Sequence, residues 1–201
     1  MVIPVKRLSL AKSRLRGATP GVPHDDLVLA LAADTVAAAL ATPAVTAVLV
    51  VTDEPVVQHA VSEWGAVAVP DVPDAGLNPA LAYGADRARR RHPGTAVAAL
   101  GADLPALRPD ALDAALTAAE AYPRSYVADT ARTGTVLLAA TPGIPLEPRF
   151  GPHSGTAHAD SGAVELTGDW PSLRRDVDTS ADLAEATLLG LGAATRALTT
   201  S

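Results

Sequence analysis

Three aspartates combine a residue type and a spacing that suit the binding of a metal ion. Asp176 and Asp178 stand two residues apart in the stretch LRRDVDTSADL, and Asp103 comes just after an apolar run that ends at Leu100. Alternate side chains of a strand point the same way, so Asp176 and Asp178 would present two carboxylates to one place. Like charges this close favour protonation unless a cation compensates them. Mg²⁺ is the predicted cation, because it prefers carboxylate and phosphate oxygens.

The same aspartates also have a simpler interpretation, which the sequence leaves open. Arg174 and Arg175 precede the pair and could neutralise it, while Asp178 could cap the helix that follows. Asp103 could cap the turn formed with Leu104 and Pro105. In that case the aspartates have a structural role only.

A basic cluster near the N-terminus supplies positive charge in an acidic chain. The net charge is −6 and the isoelectric point about 5.2, yet five basic residues, including both lysines of the chain, fall within the first 16 positions. A lysine ammonium is a compact donor that suits a phosphate oxygen. The cluster therefore indicates an anion site, with a solvated surface as the alternative; its members are Lys6, Arg7, Lys12, Arg14 and Arg16.

Two segments rich in small and hydroxyl residues could bind an anion through backbone N–H groups. They are residues 132–135 (RTGT) and 149–156 (RFGPHSGT), and a helix is predicted to begin near Ser154. Successive N–H groups in a turn form anion nests, and a helix N-terminus adds its positive end. Ordinary turn formation is the alternative for both segments.

Several classes of protein are excluded by composition and motif. The chain has no cysteine, which excludes a disulfide scaffold and a thiolate nucleophile. Ser154 lacks the G-x-S-x-G spacing of a serine hydrolase. A zinc site at His153 and His158 is disfavoured, because residues five apart lie on different faces of a helix. No Walker A or G-x-G-x-x-G motif is present.

The overall charge and the apolar runs limit the partners. An acidic chain with two Trp, three Tyr and one Phe offers little to nucleic acid. No apolar run approaches the roughly 20 residues of a membrane span, and the N-terminus lacks a signal peptide. We therefore expect a cytoplasmic protein that binds neither nucleic acid nor membrane.

The order of secondary-structure elements predicts a sheet that brings the polar residues together. Apolar runs and helical patterns alternate over the first 120 residues, which is typical of a parallel sheet covered on both faces. Ligands bind such sheets beyond the carboxyl ends of the strands. The predicted strands are Val2–Val5, Val45–Thr52, Ala66–Pro70 and Thr95–Leu100, and the predicted helices are Asp25–Ala41, Pro55–Trp64, Asn78–Arg91 and Pro109–Ala121.

The last third of the chain follows a different pattern. Two short strands are predicted at Ser125–Asp129 and Thr135–Ala140, and two more at Val164–Leu166 and Leu173–Val177. A box-like cap at Thr179–Asp182 is predicted to open the last helix. We therefore expect one α/β domain spanning residues 1–201, with a central mixed, mostly parallel sheet.

Seven segments of the chain, in order, resemble the guanylyltransferases of coenzyme F420 biosynthesis, which act on phosphoenolpyruvate or 2-phospho-L-lactate. Together they span nearly the whole chain. The resemblance implies a three-layer, Rossmann-like nucleotidyltransferase fold, GTP as donor and pyrophosphate as leaving group. The segments are IPVKRLSLAKSRL, LALAADTV, VPDAGLNPAL, ALGADLPALRP, RTGTVLLAA, RFGPHSGTAH and LRRDVDTSADL.

The resemblance also assigns roles to residues of this chain. It makes Asp103, Asp176 and Asp178 the catalytic residues and the Mg²⁺ ligands. It assigns the phosphorylated three-carbon acid to Thr135, Gly151 and Ser154. For GTP we expect Lys6, Lys12 and Arg14 to hold the triphosphate, and the loop 71–78, including Asn78, to contact base and ribose.

Two other functions remain open at this stage. A nucleotide-sugar glycosyltransferase could use the same D-x-D metal site, and a non-catalytic relative could bind GTP without releasing pyrophosphate. The acceptor, whether phosphoenolpyruvate, 2-phospholactate or 3-phosphoglycerate, is also open. A homodimer and a downstream transferase of the F420 pathway are the protein partners that the prediction allows.

Overall fold

A seven-stranded mixed sheet forms the centre of the computed structural model, which describes residues 1–9, 11–72 and 74–199. Its strands are β1 (Val2–Pro4), β2 (Leu49–Val51), β3 (Val67–Val69), β4 (Val97–Leu100), β5 (Arg124–Ala128), β6 (Thr135–Ala140) and β7 (Val164–Glu165). The order is β3-β2-β1-β4-β6-β5-β7. Only the pairings of β6 with β4 and β5 are antiparallel. The predicted mixed, mostly parallel sheet is confirmed.

Helices cover both faces of the sheet. They are α1 (His24–Leu40), α2 (Pro55–Glu63), α3 (Leu77–Arg91), α4 (Pro109–Ala119), α5 (Ser154–Asp160), α6 (Pro171–Arg174), α7 (Ser180–Leu189) and α8 (Ala193–Thr199). A short 3₁₀ helix at Ser13–Leu15 precedes them. The predicted helices are confirmed to within two residues at each end. None of the helices in the described residues is long and apolar enough to cross a membrane.

The strands contribute side chains to two cores, one on each face of the sheet. Ile3 and Val50 pack with residues of α1, α2 and α4, whereas Val2 and Leu49 pack with residues of α3. This division follows from the alternation of side chains along a strand. The result is a three-layer arrangement in which the carboxyl ends of β1 to β4 share one edge.

Close packing of α3 on the sheet depends on a glycine. A Cβ atom at Gly84 would lie 2.6 Å from methyl groups of both Val2 and Val51. Those distances are shorter than any ordinary carbon contact, so only glycine lets the helix approach the strands this closely. The position of α3 matters because its N-terminal end borders the cavity described below.

The C-terminal helix α8 is fastened to α1 by one buried aspartate. The two carboxylate oxygens of Asp34 accept hydrogen bonds from the backbone N–H groups of Ala194 (2.9 Å) and Thr195 (2.8 Å). The carboxylate thereby satisfies N–H donors that the first turn of a helix leaves unpaired. These hydrogen bonds thus hold residues 193–199 against a helix that comes much earlier in the sequence.

The strand predicted at Leu173–Val177 is wrong. Residues 171–174 form the short helix α6, which begins with Pro171, and an irregular segment leads from it to α7. The guanidinium of Arg174 explains the difference, because it donates to the carbonyl oxygens of Ala128, Leu166 and Gly168 and so holds the segment across the end of β5. The predicted cap is confirmed as a capping box of Thr179 and Asp182, but it opens α7 rather than the last helix.

Candidate active site

A cavity of about 1040 Å³ opens at the carboxyl ends of β1 to β4. Residues that directly follow each of these strands line it, as expected for a doubly covered parallel sheet. Nine of the ten predicted site residues are in its wall, which makes the cavity the candidate active site. They are Lys6, Lys12, Arg14, Asp103, Thr135, Gly151, Ser154, Asp176 and Asp178.

Asp103 is placed by the turn that follows β4. The N–H of Gly101 donates to the carbonyl of Val136 in β6 (2.9 Å), which extends the sheet by one residue. A Cβ atom at Gly101 would lie 2.7 Å from Oδ1 of Asp103, so a side chain there would displace the carboxylate. The backbone of Asp103 is also fixed, because its carbonyl accepts from the N–H of Val177 (3.0 Å).

This last hydrogen bond brings Asp176 and Asp178 to the cavity, although neither lies on a strand. Val177, between them, is fully buried in a small core with Leu15 and Leu27. Burial of Val177 turns the flanking aspartates toward the cavity wall. The premise of alternating strand side chains was therefore wrong, although all three predicted aspartates line the same cavity.

The surroundings of Asp176 alter its ionisation. Burial raises the pKa of Asp176 to about 7, and the negative charges of Asp103 and Asp178 contribute to that rise. A carboxyl that resists ionisation in this way sits in a cluster with excess negative charge. Such a cluster favours the arrival of a cation.

The ammonium group of Lys12 supplies a positive charge to this cluster. It contacts the carboxylates of both Asp103 and Asp178. Burial alone would lower the pKa of Lys12, but these two negative charges raise it, so the residue stays protonated. Its backbone has a φ of 52°, a left-handed conformation that non-glycine residues seldom adopt. Lys12 was predicted to bind triphosphate, and the structure gives it the aspartates as partners.

The alternative in which Arg174 and Arg175 neutralise the D-x-D pair is not what the structure contains. Arg174 donates to backbone carbonyls, as described above, and Arg175 forms ion pairs with Asp182 and Glu185 of α7. The two arginines therefore hold the segment in place through partners other than Asp176 and Asp178. This leaves the carboxylates of Asp176 and Asp178 to the cavity side.

The carboxylate cluster suits a hard divalent cation in its chemistry, since it offers only oxygen donors. In the described ranges, however, no three His, Asp or Glu side chains converge as a ready-made metal site. The ammonium of Lys12 contacts two of the three carboxylates. Metal binding would require that lysine to move aside.

A buried histidine organises the other wall of the cavity. His158 of α5 is fully buried; its Nδ1 lies 2.9 Å from the hydroxyl of Thr135, and its Nε2 accepts from the N–H of Arg149 (2.9 Å). Burial lowers the pKa of His158 to about 4, helped by the positive charge of Arg124. The sequence analysis considered His158 only as a metal ligand and missed this role. The spacing of five residues between His153 and His158 does not indicate that His158 contacts β6.

Asn78, predicted to contact the nucleotide, has another use in the structure. Its side-chain amide donates to the carbonyl of Phe150 (2.9 Å) and accepts from the N–H of the same residue (2.7 Å). Asn78 is the predicted site residue that is absent from the cavity wall, although its neighbours Gly76 and Leu77 belong to it. It fixes the segment before Gly151 to the first turn of α3.

The predicted anion nest at residues 132–135 is wrong. The N–H groups of Thr133 and Gly134 donate to the two carboxylate oxygens of Asp129, at 2.9 Å each. An internal carboxylate therefore takes the place of the expected anion. In the segment 149–156, the N–H groups of Arg149 and Phe150 are likewise used by His158 and Asn78. These turns shape the cavity through their side chains more than through free backbone donors.

Asp71, which the sequence singled out only as part of a loop, is another carboxylate of the cavity wall. Asp71 follows β3 and lines the cavity, and its Oδ1 is buried without a hydrogen-bond partner among the described residues. Asp71 belongs to the loop 71–78 predicted to contact the base; Pro73 of that loop lies outside the described residues. An unpaired buried oxygen is a group from which a ligand can gain a strong hydrogen bond.

Comparison with known proteins places this geometry in a family. The profile of the family described as "Guanylyl transferase CofC like" matches residues 1–200. The chain belongs to this family. A phosphoenolpyruvate guanylyltransferase of Salinispora arenicola (strain CNS-205) is 60% identical over 98% of this chain and 92% of its own length. A protein of the same name from Geodermatophilus obscurus is 57% identical, with the same coverage of both chains.

Solved structures agree with the family at the level of the fold. A nucleotidyltransferase from Methanothermobacter thermautotroptrophicus matches this CofC-like chain with a TM-score of 0.55 and 18% identity, covering 94% of this chain and 97% of the other. Identity this low shows the shared fold alone. The three-layer nucleotidyltransferase fold implied by the sequence is thereby confirmed.

Proposed function

We propose that this protein transfers GMP from GTP to the phosphate of phosphoenolpyruvate, releasing pyrophosphate, as a step of coenzyme F420 biosynthesis. The observation that carries the proposal is one cavity that joins the three-aspartate cluster to the Thr135 wall. The family description and the names of the relatives support it. 2-Phospho-L-lactate is the second candidate acceptor.

The reaction needs two anions to meet in an acidic protein. A phosphate oxygen of the acceptor forms a bond to the α-phosphorus of GTP, and the bond from that phosphorus to the bridging oxygen of the β-phosphate breaks. The electron pair leaves with pyrophosphate. Catalysis of such a transfer is mostly positioning and charge stabilisation, so no protein nucleophile is required.

The cationic side of the cavity suits the triphosphate. Lys6 and Arg14 line it near the end of β1 and the 3₁₀ helix, and Lys12 lies between them in sequence. In this proposal Lys12 leaves the carboxylates of Asp103 and Asp178 when the cavity fills, and its ammonium then contacts phosphate oxygens. Pyrophosphate would depart along the same side.

The carboxylate cluster is the proposed site of a divalent cation, and Mg²⁺ is the ion that suits it best. Asp103, Asp176 and Asp178 would hold it. When bound, Mg²⁺ would screen the repulsion between the two anions and stabilise charge on the α-phosphate. Because its pKa is about 7, Asp176 would have to be in its ionised form to serve as a ligand.

The acceptor is assigned to Thr135, Gly151 and Ser154, on the wall opposite the basic residues. Thr135 supplies a hydroxyl at the start of β6, and Ser154 begins α5. Hydroxyl groups are suitable donors to the phosphate and carboxylate oxygens of a phosphorylated three-carbon acid. Asn78 holds this wall in place through its two hydrogen bonds with Phe150.

The guanine base is assigned to the loop after β3. The carboxylate of Asp71 has an unpaired buried oxygen, and guanine presents two adjacent N–H donors along one edge. A carboxylate that accepts from both would favour guanine over adenine, which lacks that donor pair. We propose Asp71 as the residue through which the loop selects the base.

We also propose that the chain works in the cytoplasm as a single nucleotidyltransferase domain spanning residues 1–201, alone or as a homodimer. Its product would pass to a downstream transferase of the F420 pathway.

The test is pyrophosphate release by the purified protein with GTP and Mg²⁺. Parallel reactions contain phosphoenolpyruvate, 2-phospho-L-lactate, 3-phosphoglycerate or no acceptor, and the guanylylated product is identified by mass spectrometry. Release that depends on phosphoenolpyruvate is expected. GTP binding without release for any acceptor would leave only the non-catalytic alternative, and release of a nucleoside diphosphate from a nucleotide sugar would indicate the glycosyltransferase.

A further inference from the structure

Resting on the function proposed above, we propose that His158 is a positioning residue that sets the direction of one hydrogen bond in the acceptor site. It donates to the Thr135 hydroxyl oxygen, which leaves the hydroxyl proton of Thr135 available to an anionic oxygen of the acceptor. His158 itself does not touch the substrate.

The direction follows from the backbone of Arg149. A backbone N–H can only donate, and that of Arg149 points at Nε2 of His158 at 2.9 Å. Nε2 must therefore be the unprotonated nitrogen of the ring. A neutral imidazole carries its proton on one nitrogen only, so that proton is on Nδ1.

The second hydrogen bond transmits this choice to the cavity wall. Nδ1 of His158 lies 2.9 Å from Oγ1 of Thr135. Because Nδ1 carries the proton, the threonine oxygen accepts in this contact and its own proton must point elsewhere. Among the described residues the Thr135 hydroxyl has no other hydrogen-bond partner, and Thr135 lines the cavity. The hydroxyl is thus left as a donor for a ligand oxygen.

The ring is held so that this arrangement cannot reverse. His158 is fully buried, with the ring of Phe150 packed edge-on at 5.1 Å and that of Tyr126 at 5.9 Å. Burial and the positive charges of Arg124 and Arg149 depress the pKa of His158 to about 4, against a hydrogen bond to the backbone of Ser154 that raises it. The ring therefore stays neutral at the pH of the cell, and Thr135 keeps its donor orientation.

The same histidine ties together the parts that form the acceptor site. Through Arg149 it fixes the segment that leads to Gly151, through Thr135 it fixes the start of β6, and it lies on the helix that Ser154 begins. The three residues assigned to the acceptor thus lie on segments that contact or contain the same buried histidine. A donor wall of this kind selects an anionic acceptor and disfavours a group that can only donate.

The first test compares two variants that each keep one of the two hydrogen bonds. In His158→Asn the amide nitrogen takes the place of Nδ1 and can still donate to Thr135. In His158→Gln the amide oxygen takes the place of Nε2 and can accept only from Arg149. Both variants lose the ring, Gln keeps one methylene group more than Asn, and thermal unfolding of each reports whether it folds.

The readout is the KM for phosphoenolpyruvate, measured beside the KM for GTP. We expect His158→Gln to raise the KM for phosphoenolpyruvate on the order of 10-fold more than His158→Asn does, because a hydrogen bond to a charged group is lost. The KM for GTP should be equal in the two variants. In a Thr135→Val background the difference between them should vanish. Equal effects, or a difference that persists without the Thr135 hydroxyl, would overturn the proposal.

A second test needs no variant and no activity. In protein labelled with ¹⁵N at its five histidines, the signal of His158, identified by its absence from the spectrum of His158→Gln, should not titrate between pH 5.5 and 8. Its nitrogen shifts should report a proton on Nδ1 and none on Nε2. A proton on Nε2 would sink the proposal even if the enzyme is active. If instead the wild-type protein is inactive with every acceptor while Nδ1 carries the proton, the proposed function has failed and the hydrogen-bond direction stands.

Discussion

At the level of single residues, charge compensation decides how the carboxylate cluster behaves before any ligand arrives. Lys12 contacts Asp103 and Asp178, and Asp176 keeps a proton up to a pH of about 7. Both features reduce the negative charge that a folded, ligand-free protein would otherwise carry at one point. Both must also be reversed when a cation binds.

Replacing Lys12 by methionine should separate these two roles. Methionine keeps much of the aliphatic stem but removes the charge, so we expect the free energy of unfolding in EDTA to fall by about 1–3 kcal/mol. The KM for GTP should rise on the order of 10-fold, and the KM for the acceptor much less. Urea unfolding and steady-state kinetics measure both, with Lys6→Met as control for a lysine that lines the cavity without an ion pair to the aspartates. Equal increases for both substrates would remove Lys12 from the triphosphate site.

Replacing Asp176 by asparagine should abolish turnover while stabilising the metal-free protein. Turnover should fall by roughly 100-fold or more, since one of the three charged groups is lost. The folded-state pKa of about 7 lies above the ordinary 3.8, so between these values the folded state holds a proton that the unfolded chain has lost. The contribution of Asp176 to the stability of the wild-type protein therefore decreases as the pH rises from about 4 to 7.

Asparagine carries no such charge, so the variant should exceed the wild type in unfolding free energy at pH 8 by on the order of 2 kcal/mol, and should not do so at pH 4. Urea unfolding in EDTA at the two pH values measures this. A difference that is the same at both would mean that Asp176 is not buried beside like charges.

At the level of elements, the site depends on segments that side-chain hydrogen bonds hold in place. The capping box of Thr179 and Asp182 fixes the start of α7 just after Asp178, and Asn78 fixes the segment at Phe150 to α3. Neither residue needs to touch a substrate to affect one. Removing either set of hydrogen bonds should therefore displace a whole segment of the cavity wall.

Replacing Asn78 by alanine distinguishes a wall-positioning role from a nucleotide contact. Loss of two hydrogen bonds should lower the free energy of unfolding by about 1–3 kcal/mol. The segment before Gly151 should loosen, so the KM for phosphoenolpyruvate should rise more than that for GTP. Asn78→Asp, which keeps only the oxygen that accepts from Phe150, should show an intermediate effect. A rise confined to GTP would restore the direct contact predicted from the sequence.

Sequence reasoning succeeded where a pattern is local and failed where a long-range contact decides. The strands β1 to β4 and their helices follow apolar runs and turn residues, so their predicted positions are confirmed to within a few residues. The segment 173–177 has buried Leu173 and Val177 like a strand, but Arg174 draws it across the end of β5. The helix α8 was missed because an alanine- and threonine-rich stretch shows no apolar period. The role of His158 was missed because its partners Thr135 and Arg149 lie outside its own helix.

At the level of the whole molecule, the last helix of the described residues packs on the first α-helix. Helix α8 packs on α1, and Asp34 caps it from there. This contact lies away from the cavity wall, since neither Asp34 nor Thr195 lines it. It should contribute to stability and leave substrate binding unchanged.

Replacing Asp34 by alanine should therefore lower stability alone. Loss of a helix cap costs about 0.5–2 kcal/mol, which urea unfolding can resolve. The KM values for GTP and phosphoenolpyruvate should stay within twofold of the wild type. A changed KM for either substrate would show that docking of α8 is transmitted to the cavity.

The hydrogen bond from Val177 to the carbonyl of Asp103 has a consequence for the life of the chain on the ribosome. At roughly 5–20 residues per second, synthesis of Asp176 follows that of Asp103 by about 4–15 s. During that interval the emerging polypeptide holds the strands β1 to β4 but only one of the three acidic groups. The carboxylate cluster therefore assembles only after residues 176–178 have been synthesised, and a nascent chain that stops before them lacks it.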